Sequence, residues 1–243
     1  MAELDGRVAL VSGSTRGIGQ EVARQLIGAG ATVYVSGRDP ATASQTADAL
    51  GDGARSLPLP LDVADAGSIS AYAAALAAAE AQLDILVNNA AAFVDWTEST
   101  SGADLDRSRQ VLDVNLYGTW AMIQAFLPQL RSSAHPRIVN VSSGAGSHAD
   151  PDFGLTARGG AAASYGISKA AINALTSSLA AELAEDDVLV NAVCPGLTAT
   201  FPGAEQMGAR PIEDGARSVV YAATLPDDGP SGGFFRDGEP LGW

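Results

Sequence analysis

Val8-Ala9-Leu10-Val11-Ser12-Gly13-Ser14-Thr15-Arg16-Gly17-Ile18-Gly19 decides the fold, because an apolar run passes here directly into a glycine-rich turn. A continuous apolar run bounded by glycine reads as a strand buried on both faces. The amphipathic stretch that opens at Gly17 reads as a helix over Gly17–Gly28. Glycines at such a junction allow a tight turn and a close approach of backbone to ligand. The first N–H groups of the helix have no partner within it and attract an anion. The spacing is G-x-x-x-G-x-G rather than G-x-G-x-x-G, but strand before and helix after is the context of a pyrophosphate cradle. Gly13, Ser14, Thr15, Arg16, Gly17, Ile18 and Gly19 are therefore candidate dinucleotide-binding residues.

Outward from this turn the same alternation repeats. Strands are predicted over Arg7–Ser12, Thr32–Ser36, Ala54–Leu59, Asp84–Asn88, Arg137–Ser142, Val188–Cys194 and Gly233–Arg236. Helices are predicted over Gly17–Gly28, Ala41–Leu50, Ala66–Ala79, Leu105–Leu127, Ser164–Glu185 and Glu213–Thr224. Repeated strand–helix alternation gives an α/β fold, a Rossmann-type doubly wound parallel sheet. No shift of composition divides the 243 residues, so 1–243 is read as a single domain. The polar, Gly- and Ala-rich stretch 144–163 reads as a long loop inside it, a substrate segment with glycines for mobility and Pro151, Phe153 and Leu155 as apolar contacts. Residues 197–243 form a short C-terminal region for substrate and the last strand.

A 47% hydrophobic and 17% charged composition supports a sizeable core and excludes a disordered chain. The formal net charge of −14 argues against nucleic acid or an anionic membrane as a partner. A lone cysteine, Cys194, and two histidines leave no metal cluster. Cys194 is read as a buried core thiol and His148 as a loop residue. No apolar run approaches the roughly 18 residues of a membrane span, so a cytoplasmic protein is expected.

The end of the second strand distinguishes between dinucleotides. A site for NAD(H) carries an acidic residue about 20 positions on to bind the ribose 2′-hydroxyl. Here the chain reads Val35-Ser36-Gly37-Arg38-Asp39, and the Arg38 guanidinium suits a 2′-phosphate, with Arg16 able to flank it. NADP(H) is expected over NAD(H), and Asp39 is the residue that would reverse the choice.

Tyr165 and Lys169 stand four residues apart in a predicted helix and so share a face. An ammonium about 4–6 Å from a phenol stabilises the phenolate, making the hydroxyl a competent acid or base near neutral pH. Ser143, after the strand that ends at Ser142, could hydrogen-bond a carbonyl oxygen beside the tyrosine. Asn115 lies within a predicted helix, where asparagine is unfavourable and needs a reason.

Taken with Asp62-Val63, Asn88-Asn89-Ala90-Ala91, Asn140-Val141-Ser142-Ser143, Pro195-Gly196 and Thr200, these motifs make the chain resemble the classical short-chain dehydrogenase/reductase family. The likeness runs from residue 7 to about 200, and Val193-Cys194-Pro195-Gly196 with Gly232–Gly238 resembles its carbonyl-reductase branch. The resemblance implies Tyr165 as general acid, Lys169 on the nicotinamide ribose, Ser143 on the substrate carbonyl and Asn115 holding a water of a proton relay. It implies Asp62 and Val63 at the adenine, Asn89 and Ala90 at the adjoining ribose, and Pro195, Gly196, Thr198 and Thr200 at the nicotinamide amide. Ala91 departs from the usual glycine, and the separation of 22 positions between Ser143 and Tyr165 leaves Ser142 as a rival to Ser143.

The implied activity is NADP(H)-dependent reduction of an aldehyde or ketone to an alcohol, or the reverse. A non-catalytic dinucleotide-binding redox sensor is the alternative, although such proteins generally lose one of the four catalytic residues. An epimerase or dehydratase would need a larger substrate region than the chain has after Pro195. The partner is a small carbonyl or alcohol. A homo-oligomer is implied too, since most classical members are dimers or tetramers, while carbonyl-reductase relatives can be monomeric.

Overall fold

The computed structural model describes residues 3–243. Eight strands form one sheet in the order β3-β2-β1-β4-β5-β6-β7-β8. They are β1 Val8–Val11, β2 Thr32–Val35, β3 Ala54–Arg55, β4 Ile85–Asn88, β5 Arg137–Val141, β6 Leu189–Val193, β7 Phe234–Arg236 and β8 Glu239–Pro240. All neighbours run parallel except β7 and β8. The helices are α1 Gly17–Gly28, α2 Pro40–Leu50, α3 Ala66–Ala79, α4 Leu105–Leu112, α5 Thr119–Leu130, α6 Ala163–Glu182 and α7 Ile212–Ala223.

Alternate residues of each strand are buried on opposite faces, which is why the strands read as unbroken apolar runs. Ala9 and Val11 face Val22, Ala23 and Leu26 of α1 and Val219 of α7. Val8 and Leu10 face the other layer, built on Tyr72 and Leu76 of α3, Phe126 of α5 and Leu179 of α6. The direction of winding reverses between β1 and β4, and a ligand crevice opens there at the carboxyl ends of the strands.

Four expectations need correction. Strand β3 has two residues rather than six, because Pro58 and Pro60 follow and each removes a ladder donor. The predicted helix Leu105–Leu127 is two helices joined by one π-helical stretch, Asp113–Gly118, and it runs on to Leu130. An eighth strand follows a two-residue turn in which Asp237 (φ 57°) and Gly238 (φ 80°) are both left-handed, as a tight hairpin demands. The fourth concerns 144–163, which is packed at Gly144, Gly146, Ser147, Asp150 and Gly154 and exposed at 148–149, 151–152 and 158–159. A Cβ on Gly154 would lie 2.7 Å from the Ser147 carbonyl, and one on Gly146 2.5 Å from the Lys169 backbone. These two glycines serve close packing; positive φ is confined to Arg158, Gly159, Gly160 and Ala162 within the segment. Among the described residues no helix is long and apolar enough to cross a membrane.

Candidate active site

Gly13 (φ 63°) and Gly17 (φ 58°) adopt backbone that side chains rarely reach, while a Cβ on Gly19 would sit 2.6 Å from the Gly13 carbonyl. The turn is braced from β4: the Asn89 carboxamide donates to the carbonyls of Ser12 (2.9 Å) and Gly13 (3.1 Å). Arg16 occupies the N-cap of α1, with no side-chain cap and no acidic residue in the first turn. In contrast, Asp39, Asp65 and Asp104 cap α2, α3 and α4. The first turn of α1 is thus left open to an external anion, and the cradle fits a pyrophosphate. Ser14 is the exception within the motif. Its side chain is buried, donates to the Val11 carbonyl (2.7 Å) and accepts from the Ser36 amide (2.9 Å), so it ties β1 to β2 instead of facing the crevice.

The crevice is a cavity of about 900 Å³. Of the cofactor-site candidates, Gly13, Thr15–Gly19, Arg38, Asp62, Val63, Asn89, Ala90, Tyr165, Lys169, Pro195, Gly196, Thr198 and Thr200 line it. Arg38 turns to the cavity, whereas the Asp39 carboxylate is committed to the α2 cap through the amides of Ala41 (3.0 Å) and Thr42 (3.3 Å). The acidic alternative is thereby engaged elsewhere. Thr198 lines the wall with its hydroxyl donated to the Pro195 carbonyl (3.1 Å).

Tyr165 and Lys169 rise from the first turns of α6, both buried. Lys169 is the chain's only lysine. Its ammonium donates to the Val141 carbonyl (2.7 Å) and lies 5.5 Å from the Tyr165 ring centre. Burial pushes the Tyr165 hydroxyl above the ordinary phenol value, and a hydrogen bond with Ser143 partly offsets this. Burial also lowers the Lys169 amine to about 8. The expectation that the lysine brings the phenol down is not met in the protein alone. The ammonium is held by a backbone carbonyl above the ring, and desolvation dominates both groups.

Ser142 and Ser143 both line the cavity but differ in the partners of their hydroxyls. The Ser142 hydroxyl is buried and bonded to Asn173 Oδ1 (2.5 Å), while Ser143 is the neighbour of the tyrosine hydroxyl. Asn115 does not line the cavity. It sits in the π-helical stretch, a device common at functional sites. Its carboxamide accepts from the Ala92 amide (2.7 Å) and donates to the Ala92 carbonyl (3.0 Å) and Ser168 Oγ (2.9 Å), joining the loop after β4 to α6.

Cys194 is buried beside Ala192 and Phe234, but its sulfur is not in purely apolar surroundings. It accepts from the Gly144 amide (3.1 Å) and meets the Arg236 guanidinium (3.2 Å). Arg236 is ion-paired with Asp150 (2.5 Å), whose other oxygen takes the amides of Asp152 and Phe153 (both 3.0 Å). Of the three apolar residues expected to contact substrate, Phe153 lines the cavity and Pro151 and Leu155 do not.

Sequence reasoning missed an aromatic wall. Phe93 stacks on Tyr165 with centroids 5.0 Å apart, and Trp96 meets the same ring edge-on at 5.9 Å. Both are about half exposed and line the cavity, as do Phe201 and Met207. Their signal was present: loops at the carboxyl ends of parallel strands build the crevice, and Phe93 and Trp96 follow β4.

The short chain dehydrogenase family profile matches residues 7–208. The chain is 36% identical over 197 residues to the rhamnolipids biosynthesis 3-oxoacyl-[acyl-carrier-protein] reductase of Pseudomonas aeruginosa, covering 79% of this chain and 73% of that one. It is 32% identical to the 7alpha-hydroxysteroid dehydrogenase of Clostridium sardiniense over 92% of this chain and 88% of that one. Among solved structures, NADPH-bound carbonyl reductase from chicken fatty liver superposes with a TM-score of 0.84 at 26% identity, over 99% of this chain and 100% of that one. The Pseudomonas aeruginosa RhlG/NADP complex superposes at 0.81 with 32% identity, over 97% and 96%. With the fold, the glycine turn and the Tyr165–Lys169 pair in place, the chain belongs to the short-chain dehydrogenase family of oxidoreductases.

Proposed function

We propose that this protein is an NADP(H)-dependent oxidoreductase that reduces an aldehyde or ketone to an alcohol, or runs the reverse, with Tyr165 as general acid or base. The observation that carries the proposal is the buried Tyr165 hydroxyl beside Ser143, in the cavity whose other end is the open glycine turn with Arg16 and Arg38. The NADPH- and NADP-bound relatives support the same cofactor here.

When bound, the nicotinamide supplies or accepts a hydride at the carbonyl carbon. The glycine turn and the first turn of α1 hold the pyrophosphate, Arg38 and Arg16 take the 2′-phosphate, and Asp62 and Val63 flank the adenine. Ser143 donates to the carbonyl oxygen and orients it toward Tyr165. In reduction the Tyr165 O–H bond breaks, its proton goes to the carbonyl oxygen, and the phenolate is left for solvent to reprotonate. In oxidation the phenolate takes the alcohol proton. A phenol that burial holds above its usual value is a weak acid by itself. Lys169, whose ammonium lies 5.5 Å from the ring centre, is the group placed to stabilise the phenolate and would bind the nicotinamide ribose. Asn115 is a positioning residue, fixing Ala92 and Ser168 around the site.

The aromatic wall of Phe93, Trp96 and Phe153 supports a substrate with a bulky apolar body. The segment 144–163 forms one wall of that pocket, and the region 197–243 contributes Phe201 and Met207. We read the protein as cytoplasmic and as a homo-oligomer; Leu105, Tyr117, Trp120 and Ile167, exposed on and around α4, α5 and α6, support the second reading. Purified protein mixed with NADPH and a panel of aliphatic and aryl ketones, followed at the nicotinamide absorbance, tests the function. Turnover of the aryl ketones is expected. NADPH binding without oxidation on any member would contradict the proposal.

A further inference from the structure

Acidic residues outnumber basic ones 28 to 14, and seven of the arginines are ion-paired with carboxylates. The pattern inverts in the cavity. Of the five arginines that line it, Arg236 alone is ion-paired, and among the described residues no carboxylate pairs with Arg16, Arg38, Arg107 or Arg158. In a chain with surplus carboxylates, unpaired guanidinium groups gathered in one cavity indicate that anionic ligands are read there.

Arg16 and Arg38 belong to the glycine-turn end, where the cofactor phosphates account for them. The other two lie away from it. Arg107 is already engaged, donating to the Phe93 carbonyl (3.1 Å) and to Gln110 Oε1 (3.1 Å). Arg158 is not. Its guanidinium lies 4.6 Å above the centre of the Phe153 ring, and no hydrogen bond to it is formed among the described residues. Stacking on an aromatic face fixes the direction of the guanidinium while leaving its five N–H donors free. Arg158 also has left-handed backbone (φ 51°, ψ 33°), in the wall segment that runs from Ser143 to Tyr165.

We infer that Arg158 recognises an anionic group, a carboxylate, on the part of the substrate remote from the reacting carbonyl. The substrate class is then a ketone or aldehyde with a bulky apolar body against Phe93, Trp96 and Phe153 and a carboxylate beyond it. This rests on the proposed function for the location of the reacting carbonyl, but the anion site itself is defined by Arg158 and Phe153. The two basic poles of the cavity thus serve different anions, one on the cofactor and one on the substrate. An acidic protein surface repels free anions, so a local guanidinium is also what such a substrate needs in order to enter.

The test uses acetophenones that carry a para-linked carboxylate on arms of one to four carbons, with the primary amide of each as a neutral match. Isothermal titration gives Kd against the NADP+-loaded protein, and kcat/KM is read separately. For the best arm length the carboxylate should bind roughly three- to tenfold more tightly than its amide, as expected for an accessible charged pair. The difference should shrink in 0.5 M NaCl. Arg158→Gln should abolish it, Arg158→Lys should retain part of it, and Arg158→Glu should favour an ammonium analogue. Kd for NADPH should stay within twofold throughout. Equal Kd for carboxylate and amide at every arm length, or a preference that survives Arg158→Gln, would overturn the inference. Carboxylate-selective binding without turnover would count against the proposed reaction and leave the anion site standing.

Discussion

The ring of Phe93 lies stacked on the ring of Tyr165, with centroids 5.0 Å apart and planes inclined by 23°. The stack couples substrate shape to the proposed proton donor, since Phe93 both lines the cavity and packs on the tyrosine ring. Aromatic pairs contribute about 0.5–1.5 kcal/mol beyond their burial, or roughly two- to tenfold. Phe93→Ala is expected to lower kcat/KM for aryl ketones by at least that factor, with NADPH affinity unchanged. Steady-state kinetics over an aryl and an aliphatic ketone check it; equal losses on both would mean that Phe93 acts only on the tyrosine.

Arg38 faces the cavity while Asp39 caps α2. Arg38→Ala should therefore weaken NADPH far more than NADH. A hydrogen bond to a charged group is worth about 1.5–3 kcal/mol, which sets the expected loss at about tenfold or more for NADPH. Paired Kd measurements on wild type and variant decide the matter.

Asp150 is buried and paired with Arg236. Burial opposes its ionisation, but the amides of Phe153 and Asp152 and the Arg236 guanidinium outweigh it and hold the carboxyl below its ordinary value. A carboxyl lowered in the folded state stabilises above its unfolded pKa and loses that stability as pH falls through the folded one. Asp150→Asn should cost about 1–3 kcal/mol at pH 7, and the Tm difference from wild type should shrink progressively below about pH 4. Thermal melts between pH 3 and 7 test this, and a difference that grows in acid would contradict it.

Lys169 being the only lysine, protein labelled with 13Cε-lysine gives one resonance to titrate. Burial places its midpoint at about 8 in the protein alone, against an ordinary 10.5. Between these values the unfolded chain binds more protons than the folded one, so this group raises stability with increasing pH across that window. A midpoint near 10.5 would show that the amine is solvated.

Much of this arrangement was legible in the chain. Helices α1 and α3 begin and end at their predicted residues, because a glycine turn and an Asp65 cap mark their starts. The parallel, doubly wound sheet follows from strand–helix alternation, which leaves the order of its strands open. What escaped had weak local signals. Asn115 is an odd residue within Leu105–Leu130, but nothing there announces that it sits in a π-helical stretch and bonds across to Ala92 and Ser168. Ser14 looks like its motif neighbours, yet the turn rotates it inward toward Val11 and Ser36. The hairpin at Asp237-Gly238 was readable, since that dipeptide suits two successive left-handed residues. Arg158 carried no mark in sequence; its significance comes from which other arginines are paired.

The Tyr165 hydroxyl is the group proposed to transfer the proton. Tyr165→Phe keeps the ring that packs with Phe93 and lies near Lys169 and removes only that hydroxyl. Single-turnover oxidation of bound NADPH by an aryl ketone should slow by about 10²–10⁴-fold, the contribution of a general acid, with Kd for NADPH within a few-fold of wild type. A variant that keeps more than about a tenth of the wild-type rate would contradict the assignment, because no general acid of that strength can be removed so cheaply.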